Sequence, residues 1–328
     1  MKNKLLSYLL KGKINFWKLT SRMTYMPGWV SVLKKMEKDG LVEIKNTYIS
    51  LTPKGRKIAS ALKLVPQELP FLGACELKPD EKLLKKYKKY RKDKLFEKEE
   101  FDQLQITEEG VIKKIGVMRK LGDLTGKRII CLGDDDLVGI ALALTGEPKE
   151  ITVLDIDKEV LDYENSVLKK LGYGKSAFSC DFLKPIPEKF RGKYDVFITE
   201  PPDTVKGVTL FFSRGVECLN KKGGLAYLGI SRNDLKPEEF MQIEENVFKM
   251  KGLVTDMFSH FEGYNPSKID FDWVIGLPKG VTDVAREPWF FSDLWRVEIL
   301  QGAKPLVKGK KGTKFRKGFI KTEIHLNE

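Results

Sequence analysis

The chain has 328 residues, 41% of them hydrophobic and 32% charged, with a formal net charge of +13. A chain of that length and composition is expected to fold as two or three globular units. No apolar run is long enough to span a bilayer, no signal-peptide stretch opens the chain, and Cys75, Cys131, Cys180 and Cys218 form no CxxC pair. These features exclude a membrane span, a zinc ribbon and a disulfide framework, and point to a cytoplasmic protein with no structural metal.

The charge is unevenly spread. Residues 1–63 hold fourteen Lys/Arg against three acids, and residues 304–328 hold eight against two. Between these basic ends the middle carries thirty-seven bases and forty-one acids, a net −4. A ligand of the middle region therefore need not be an anion. The Lys and Glu content suits a thermophile.

Residues 1–65 open with an amphipathic helix (Leu5, Leu6, Leu9, Leu10), then a short helix over Phe16–Tyr25. A third helix starts near Pro27, with apolar spacing at Val30, Leu33 and Met36, and ends at Asp39-Gly40. Two short strands follow, Leu41–Ile44 and Tyr48–Leu51, and Thr52-Pro53 opens another helix. The string LKKMEKDGLVEIKNTYISLTPKGRKIA resembles the recognition helix, wing and following helix of winged-helix domains. That resemblance implies either DNA binding or a module kept for dimerisation or substrate gating.

Residues 66–122 read as a linker and a helical segment. Three prolines mark 66–80, and the charge-dense stretch Lys82–Glu100 is most simply a solvated helix. From residue 123 to 303 strands alternate with helices. Strands are expected at Arg128–Leu132, Ile151–Leu154, Ala177–Ser179, Tyr194–Thr199, Gly224–Gly229, Leu253–Ser259 and Trp273–Leu277. The expected fold class is α/β: a Rossmann-like, mostly parallel sheet of the S-adenosylmethionine-dependent methyltransferase type, preceded by the winged-helix-like domain. Its ligand site belongs at the carboxyl ends of the strands. The basic tail, residues 304–328, is expected to lie outside the core, so that truncation after Gly302 would leave stability unchanged.

The first of those strands ends in IICLGDDDLVGIALALTG. An apolar strand turning at Gly133 into a helix suits a nucleotide or adenosyl group. The loop carries Asp134, Asp135 and Asp136 in place of G-x-G-x-x-G, and three carboxylates repel a phosphate. NAD, FAD and ATP are disfavoured. The bland alternative is that the aspartates cap the next helix, for which one would suffice. Asp155 ends the second strand and suits ribose hydroxyls, while Asp157 either faces the same cleft or caps a helix. Asp181, after the third strand, is placed to reach an adenine amino group. The fourth strand ends in YDVFITEPPDTVKG, where Glu200 before Pro201-Pro202 resembles the Asp/Asn-Pro-Pro-aromatic motif of amine-alkylating enzymes. Asp203 occupies the aromatic position, which suits a cationic aliphatic amine better than a nucleobase.

So many acids at one sheet edge need cations to pair with. S-adenosylmethionine brings a carboxylate that such a loop repels, whereas its decarboxylated form keeps only the sulfonium and ammonium. The GDDDL loop at Gly133–Leu137, DID at Asp155–Asp157, the Glu200–Thr204 turn and the winged-helix-like start together resemble the archaeal and thermophilic-bacterial N4-bis(aminopropyl)spermidine synthases. The resemblance runs along essentially the whole chain. The family pattern has Asp before the prolines, so Glu200 is a departure.

The resemblance implies aminopropyl transfer from decarboxylated S-adenosylmethionine, a co-substrate, with no permanently bound cofactor, to the central amine of spermidine. It assigns Asp135 and Asp136, with Asp134, to ammonium groups. Gly133, Asp155, Asp157 and Asp181 fall to the co-substrate, and Glu200 with Asp203 to the attacking amine. A homodimer is expected. An N-methyltransferase acting on nucleic acid or protein, and a DNA-binding regulator with a ligand-sensing domain, are the rival readings.

Overall fold

The computed structural model describes residues 1–23, 25–69, 77–91, 98–233, 235–264, 277–282 and 288–308. The first unit is built from α1 (Lys2–Leu9), β1 (Ile14–Asn15), α2 (Phe16–Thr20), α3 (Met26–Lys38), β2 (Val42–Lys45), β3 (Tyr48–Leu51) and α4 (Pro53–Ala61). Local chemistry sets the boundaries. The Asn15 side chain accepts from the Trp17 and Lys18 amides to start α2, and Thr52 accepts from Gly55 to start α4 behind Pro53. Alternation in β2 buries Val42 and Ile44 and exposes Glu43 and Lys45. The three strands pair antiparallel in the order β1-β3-β2, giving the winged-helix-like arrangement.

Next come α5 (Glu81–Lys88) and α6 (Glu108–Lys120). The expectation of a solvated helix over Lys82–Glu100 is corrected here. Leu83, Leu84 and Tyr87 of α5 are buried, so only its Lys/Glu face is wet. Residues 92–97 of that expected helix lie outside the described residues.

The second unit is a seven-stranded sheet of β4 (Arg128–Leu132), β5 (Glu150–Asp155), β6 (Ala177–Ser179), β7 (Val196–Thr199), β8 (Gly224–Ser231), β9 (Gly252–Gly263) and β10 (Phe291–Ile299). The order is β6-β5-β4-β7-β8-β10-β9. Neighbours among the first five strands pair parallel, and β10 runs antiparallel to both β8 and β9. The order reverses between β4 and β7, which puts a crevice at their carboxyl ends. The connecting helices are α7 (Val138–Thr145), α8 (Lys158–Lys170), α9 (Val205–Cys218) and α10 (Pro237–Lys249). Both faces are covered. Ile129, Cys131, Val153 and Ile198 pack with α6, α7 and α8, and Ile130, Leu132, Leu154 and Phe197 pack with α9 and α10. Burial on both faces is why these strands read as unbroken apolar runs.

Strand β10 had no counterpart in the sequence reading, because Ser292, Asp293, Arg296 and Glu298 interrupt its apolar residues. The strand expected at Trp273–Leu277 falls outside the described residues except for Leu277, which is not in a strand. The expected tail boundary also moves. Val307 is buried, its amide donates to Ser213 Oγ at 3.1 Å, and its carbonyl accepts from Arg214 at 2.9 Å. The chain is therefore docked through Val307, and residues 309–328 lie outside the described set.

The first unit sits directly on the second. The Tyr25 and Met26 amides at the start of α3 donate to the carbonyls of Arg232 and Asn233 just past β8, and Trp17 packs against Trp289. Among the described residues no helix is long and apolar enough to cross a membrane.

Candidate active site

The crevice is built first from the turn after β4. Gly133 takes φ +72°, a conformation that favours glycine, and Leu137 caps α7 in the left-handed region. Asp134 holds this turn together, with its two carboxylate oxygens each accepting an amide, from Val138 and Gly139, at 2.7 Å. It therefore caps α7. Asp155, at the end of β5, accepts the Asp134 amide at 2.8 Å and the Asp157 amide at 2.7 Å. Burial pushes Asp155 up to about 6 against the pull of those two amides. Asp157 caps α8 through the Glu159 amide and pairs with Lys98 at 2.8 Å. Asp181 accepts the Leu183 amide and pairs with Lys184 at 3.1 Å.

Asp135 and Asp136 differ in their partners. Asp136 accepts the Ile106 amide at 2.9 Å and faces Arg91 at 3.5 Å, with both side chains nearly dry. Its carbonyl is gripped by Arg91 and the Tyr87 hydroxyl. For Asp135 the backbone is held, by Gln105 on its carbonyl at 2.7 Å, while Oδ2 is buried and has no hydrogen-bond partner. Burial, with Asp155 and Glu200 nearby, holds Asp135 well above the usual carboxylate range. An orphaned buried carboxylate oxygen is costly unless a ligand completes it.

The second wall comes from the Pro-Pro turn. Glu200 receives a close ion pair from Lys114 of α6 and the Tyr264 hydroxyl at 3.4 Å. The same ammonium reaches Glu262, near the end of β9, at 2.7 Å. The Lys114 and Glu262 side chains are 1% and 0% exposed while Glu200 retains 16%, so Glu200 is the member of the trio that meets the crevice. Ser292 donates to Glu262 at 2.8 Å. Burial and the Glu200 charge push Glu262 up to about 7, opposed by Lys114. Burial pulls Lys114 down, but the two glutamates outweigh it and raise it. Gly229 makes room for this: a Cβ there would lie 2.6 Å from Glu200 Cγ and 2.8 Å from Glu262 Oε2. Asp203 accepts the Ser231 amide at 2.9 Å.

The expected residues thus occupy the ends of neighbouring strands, but they divide the work. Asp134, Asp155 and Asp157 hold backbone amides and build the turn. Asp135 keeps an unpaired oxygen, and Glu200 keeps an exposed edge. Lys114, Glu262, Tyr264 and Arg91 were not singled out from the sequence. Lys114 had a signal, since it lies on the apolar face of α6 between Val111 and Met118, where a lysine is out of place. Glu262 in HFEGY carried none. Among the described residues no group of His, Cys, Asp or Glu is arranged to hold a metal ion. The charges suit a cationic ligand.

The C-terminal domain family of branched-chain polyamine synthase A matches residues 82–315. An N(4)-bis(aminopropyl)spermidine synthase of Methanocaldococcus jannaschii is 30% identical over 302 residues, 88% of this chain and 85% of that one. A synthase of the same name from Thermococcus kodakarensis is 30% identical over 289 residues, 85% and 82% of the two chains. The crystal structure of the branched-chain polyamine synthase from Thermus thermophilus, in complex with N4-aminopropylspermidine and 5'-methylthioadenosine, aligns with TM-score 0.77 at 21% identity. That alignment covers 96% of this chain and 92% of that one, so the two share the fold over most of their length.

Proposed function

The chain belongs to the branched-chain polyamine synthase family, and on that premise we propose that it carries aminopropyl groups from decarboxylated S-adenosylmethionine to the central nitrogen of spermidine. The products are N4-bis(aminopropyl)spermidine, after two transfers, and methylthioadenosine. It is an aminopropyltransferase. In each transfer the acceptor nitrogen attacks the methylene beside the sulfonium. The carbon–nitrogen bond forms and the carbon–sulfur pair leaves with methylthioadenosine. In the first transfer the secondary amine then loses its N–H proton; in the second the tertiary amine, with no proton left to give, ends as a quaternary ammonium.

The carrying observation is Asp135, whose buried Oδ2 has no partner in a crevice where acids outnumber bases. An ammonium of the co-substrate or acceptor would satisfy it, and a carboxylate would be repelled. Asp134, Gly133 and Asp155 shape the turn against which the nucleoside would lie, with Asp181 beyond the next strand. Glu200, with its exposed edge, and Asp203 face the attacking amine, and Glu200 accepts its proton. Asp136 holds the turn through Arg91 and adds negative charge. Because little covalent chemistry falls to the protein, holding a neutral amine in line with the carbon–sulfur bond carries most of the rate. The unpaired buried thiols of Cys131, Cys180 and Cys218 suit a cytoplasmic, reducing setting.

Incubating the protein with decarboxylated S-adenosylmethionine and spermidine, and resolving products by mass spectrometry, tests the reading. Branched product is expected, and calorimetry should show S-adenosylmethionine binding far more weakly than its decarboxylated form. Tighter binding of the carboxylated form, with methyl transfer to any acceptor, would overturn it.

A further inference from the structure

Helix-turn-helix modules read duplex DNA with the N-terminal residues of the recognition helix, which must be free to enter the major groove. In this chain that turn is already engaged. The Tyr25 amide donates to the Arg232 carbonyl at 2.8 Å and the Met26 amide to the Asn233 carbonyl at 2.7 Å. Tyr25 adopts φ +50°, an uncommon conformation for a side-chain-bearing residue, and its ring lies where a Cβ on Gly28 would come within 2.5 Å. The hairpin between β2 and β3 is engaged as well. Thr47, fully buried, donates its amide to the Gly280 carbonyl at 2.9 Å, and its hydroxyl accepts the Thr282 amide at 3.1 Å. At Gly280 the contact is so close that a Cβ would lie 1.9 Å from the Ile44 carbonyl oxygen.

The clamped residues lead into the amine side of the crevice. Arg232 and Asn233 follow Ser231, whose amide holds Asp203, and the Asn233 amide returns to Ser231 Oγ at 3.1 Å. The Arg232 guanidinium pairs with Asp293 at 2.6 Å and donates to Ser259 Oγ at 3.2 Å. Asp293 also accepts the amide of His260, which bends β9 with φ +53° two residues before Glu262. One end of α3 is thus tied to the end of β8 that holds Asp203 and, through Arg232 and Asp293 of β10, to β9, which carries Glu262.

We propose that the winged-helix-like module is a positioning element of the acceptor subsite, clamping the end of β8 so that Asp203 and, through the buried Glu262–Lys114 pair, Glu200 are set for a polyamine ammonium, and that it does not read nucleic acid. This rests on the polyamine reading above. The module's two reading edges are used within the chain, and Arg232 and Asn233, gripped by one of them, directly follow the Ser231 that holds Asp203. Tyr25 and Met26 act through their backbone and touch no substrate.

Gly280→Ala tests the clamp away from the site, because its methyl must push the β2–β3 hairpin off the catalytic unit. Initial rates should show the KM for spermidine rising on the order of tenfold while the KM for decarboxylated S-adenosylmethionine stays within about twofold. On the wild-type protein, amide hydrogen exchange at Tyr25, Met26 and Ser231 should slow together when spermidine is added to the methylthioadenosine complex, and not with methylthioadenosine alone. Equal changes in both KM values would overturn the proposal. So would spermidine protection at Ser231 without protection at Tyr25 and Met26, or binding of random duplex DNA by the wild-type protein at physiological salt. Failure of the wild type to make any branched product is a separate result, seen before any variant is made. It would remove the polyamine reading and this one with it.

Discussion

The Lys114 ammonium lies 2.7 Å from the Glu262 carboxylate with both side chains shut off from solvent, and it also pairs with Glu200. One cation serves two carboxylates, so the trio carries a net negative charge before any substrate arrives. Removing the cation leaves two buried acids unpaired. Lys114→Met should cost roughly 3–5 kcal/mol of stability, the range for breaking a buried ion pair from one side. Urea unfolding should show the loss at neutral pH and a smaller loss near pH 5, below the value of about 7 to which burial pushes Glu262. An equal loss at both pH values would mean the trio is not ionised.

Glu200→Gln keeps the size of the side chain and removes its charge and its capacity to take a proton. If Glu200 serves the attacking amine, kcat should fall by roughly ten- to a hundredfold, the value of one charge-assisted hydrogen bond, with little change in methylthioadenosine affinity. Stopped-assay kinetics beside calorimetry would separate the two. Unchanged turnover would move the proton acceptor elsewhere.

Asp134 and Asp135 are neighbours with opposite expectations. Asp134→Asn loses one of two amide acceptors at the start of α7 and should lower stability by about 1–2 kcal/mol. Asp135→Asn should leave the ligand-free protein as stable or more so, since it relieves repulsion around an orphaned oxygen, while kcat/KM falls roughly ten- to a hundredfold. Thermal melts and initial rates on both variants check the contrast.

Stability should depend on pH in an unusual direction. Asp155 and Glu262 are raised in the folded protein, to about 6 and about 7, chiefly by burial. An acid with a raised folded pKa contributes stability that is fully present below its unfolded pKa and is lost as pH climbs through the folded value. The ligand-free protein should therefore melt higher near pH 5 than near pH 8. Spermidine with methylthioadenosine should shrink that difference, because the added ammonium groups stabilise the carboxylates. Differential scanning fluorimetry across pH 4.5–8.5 tests both arms.

Truncation after Gly302 should lower the melting temperature. It removes Val307, whose carbonyl accepts from Arg214, itself fully buried and still paired with Glu217, and the loss of one hydrogen bond to a buried charged group costs about 1–3 kcal/mol. An unchanged melt would show that the docked segment adds nothing.

Much of this was legible before any coordinates. The strands β4 to β8 announce themselves as apolar runs because both of their faces are covered, and Gly133 and the Pro-Pro turn mark where the crevice must open. The DDD run marked a loop at the end of β4, but no periodicity separates Asp134, which caps, from Asp135, whose Oδ2 is left unpaired. That difference is set by which way each side chain leaves a turn. Lys114 and Glu262 were hidden for another reason. Each is tolerable in a dry place only because the other is there, and they meet through the tertiary fold. Strand β10 interleaves polar residues with its apolar ones, a pattern that looks like a surface segment until the partner strand is known, whereas β9 was legible as the strand Leu253–Ser259 and runs on to Gly263.

The antiparallel insertion of β10 between β8 and β9 has a consequence for how activity arises during folding. Glu262 rides on the strand that is last in the sheet order, and it reaches Lys114 only when β10, the final strand in the sequence, has slotted in beside β8. A nascent chain with β4 to β8 complete would hold the Gly133–Leu137 turn and yet lack the Glu262 partner of Lys114. Under the proposed function, the support of Glu200 by Lys114 and Glu262 would be complete only with closure of the C-terminal edge.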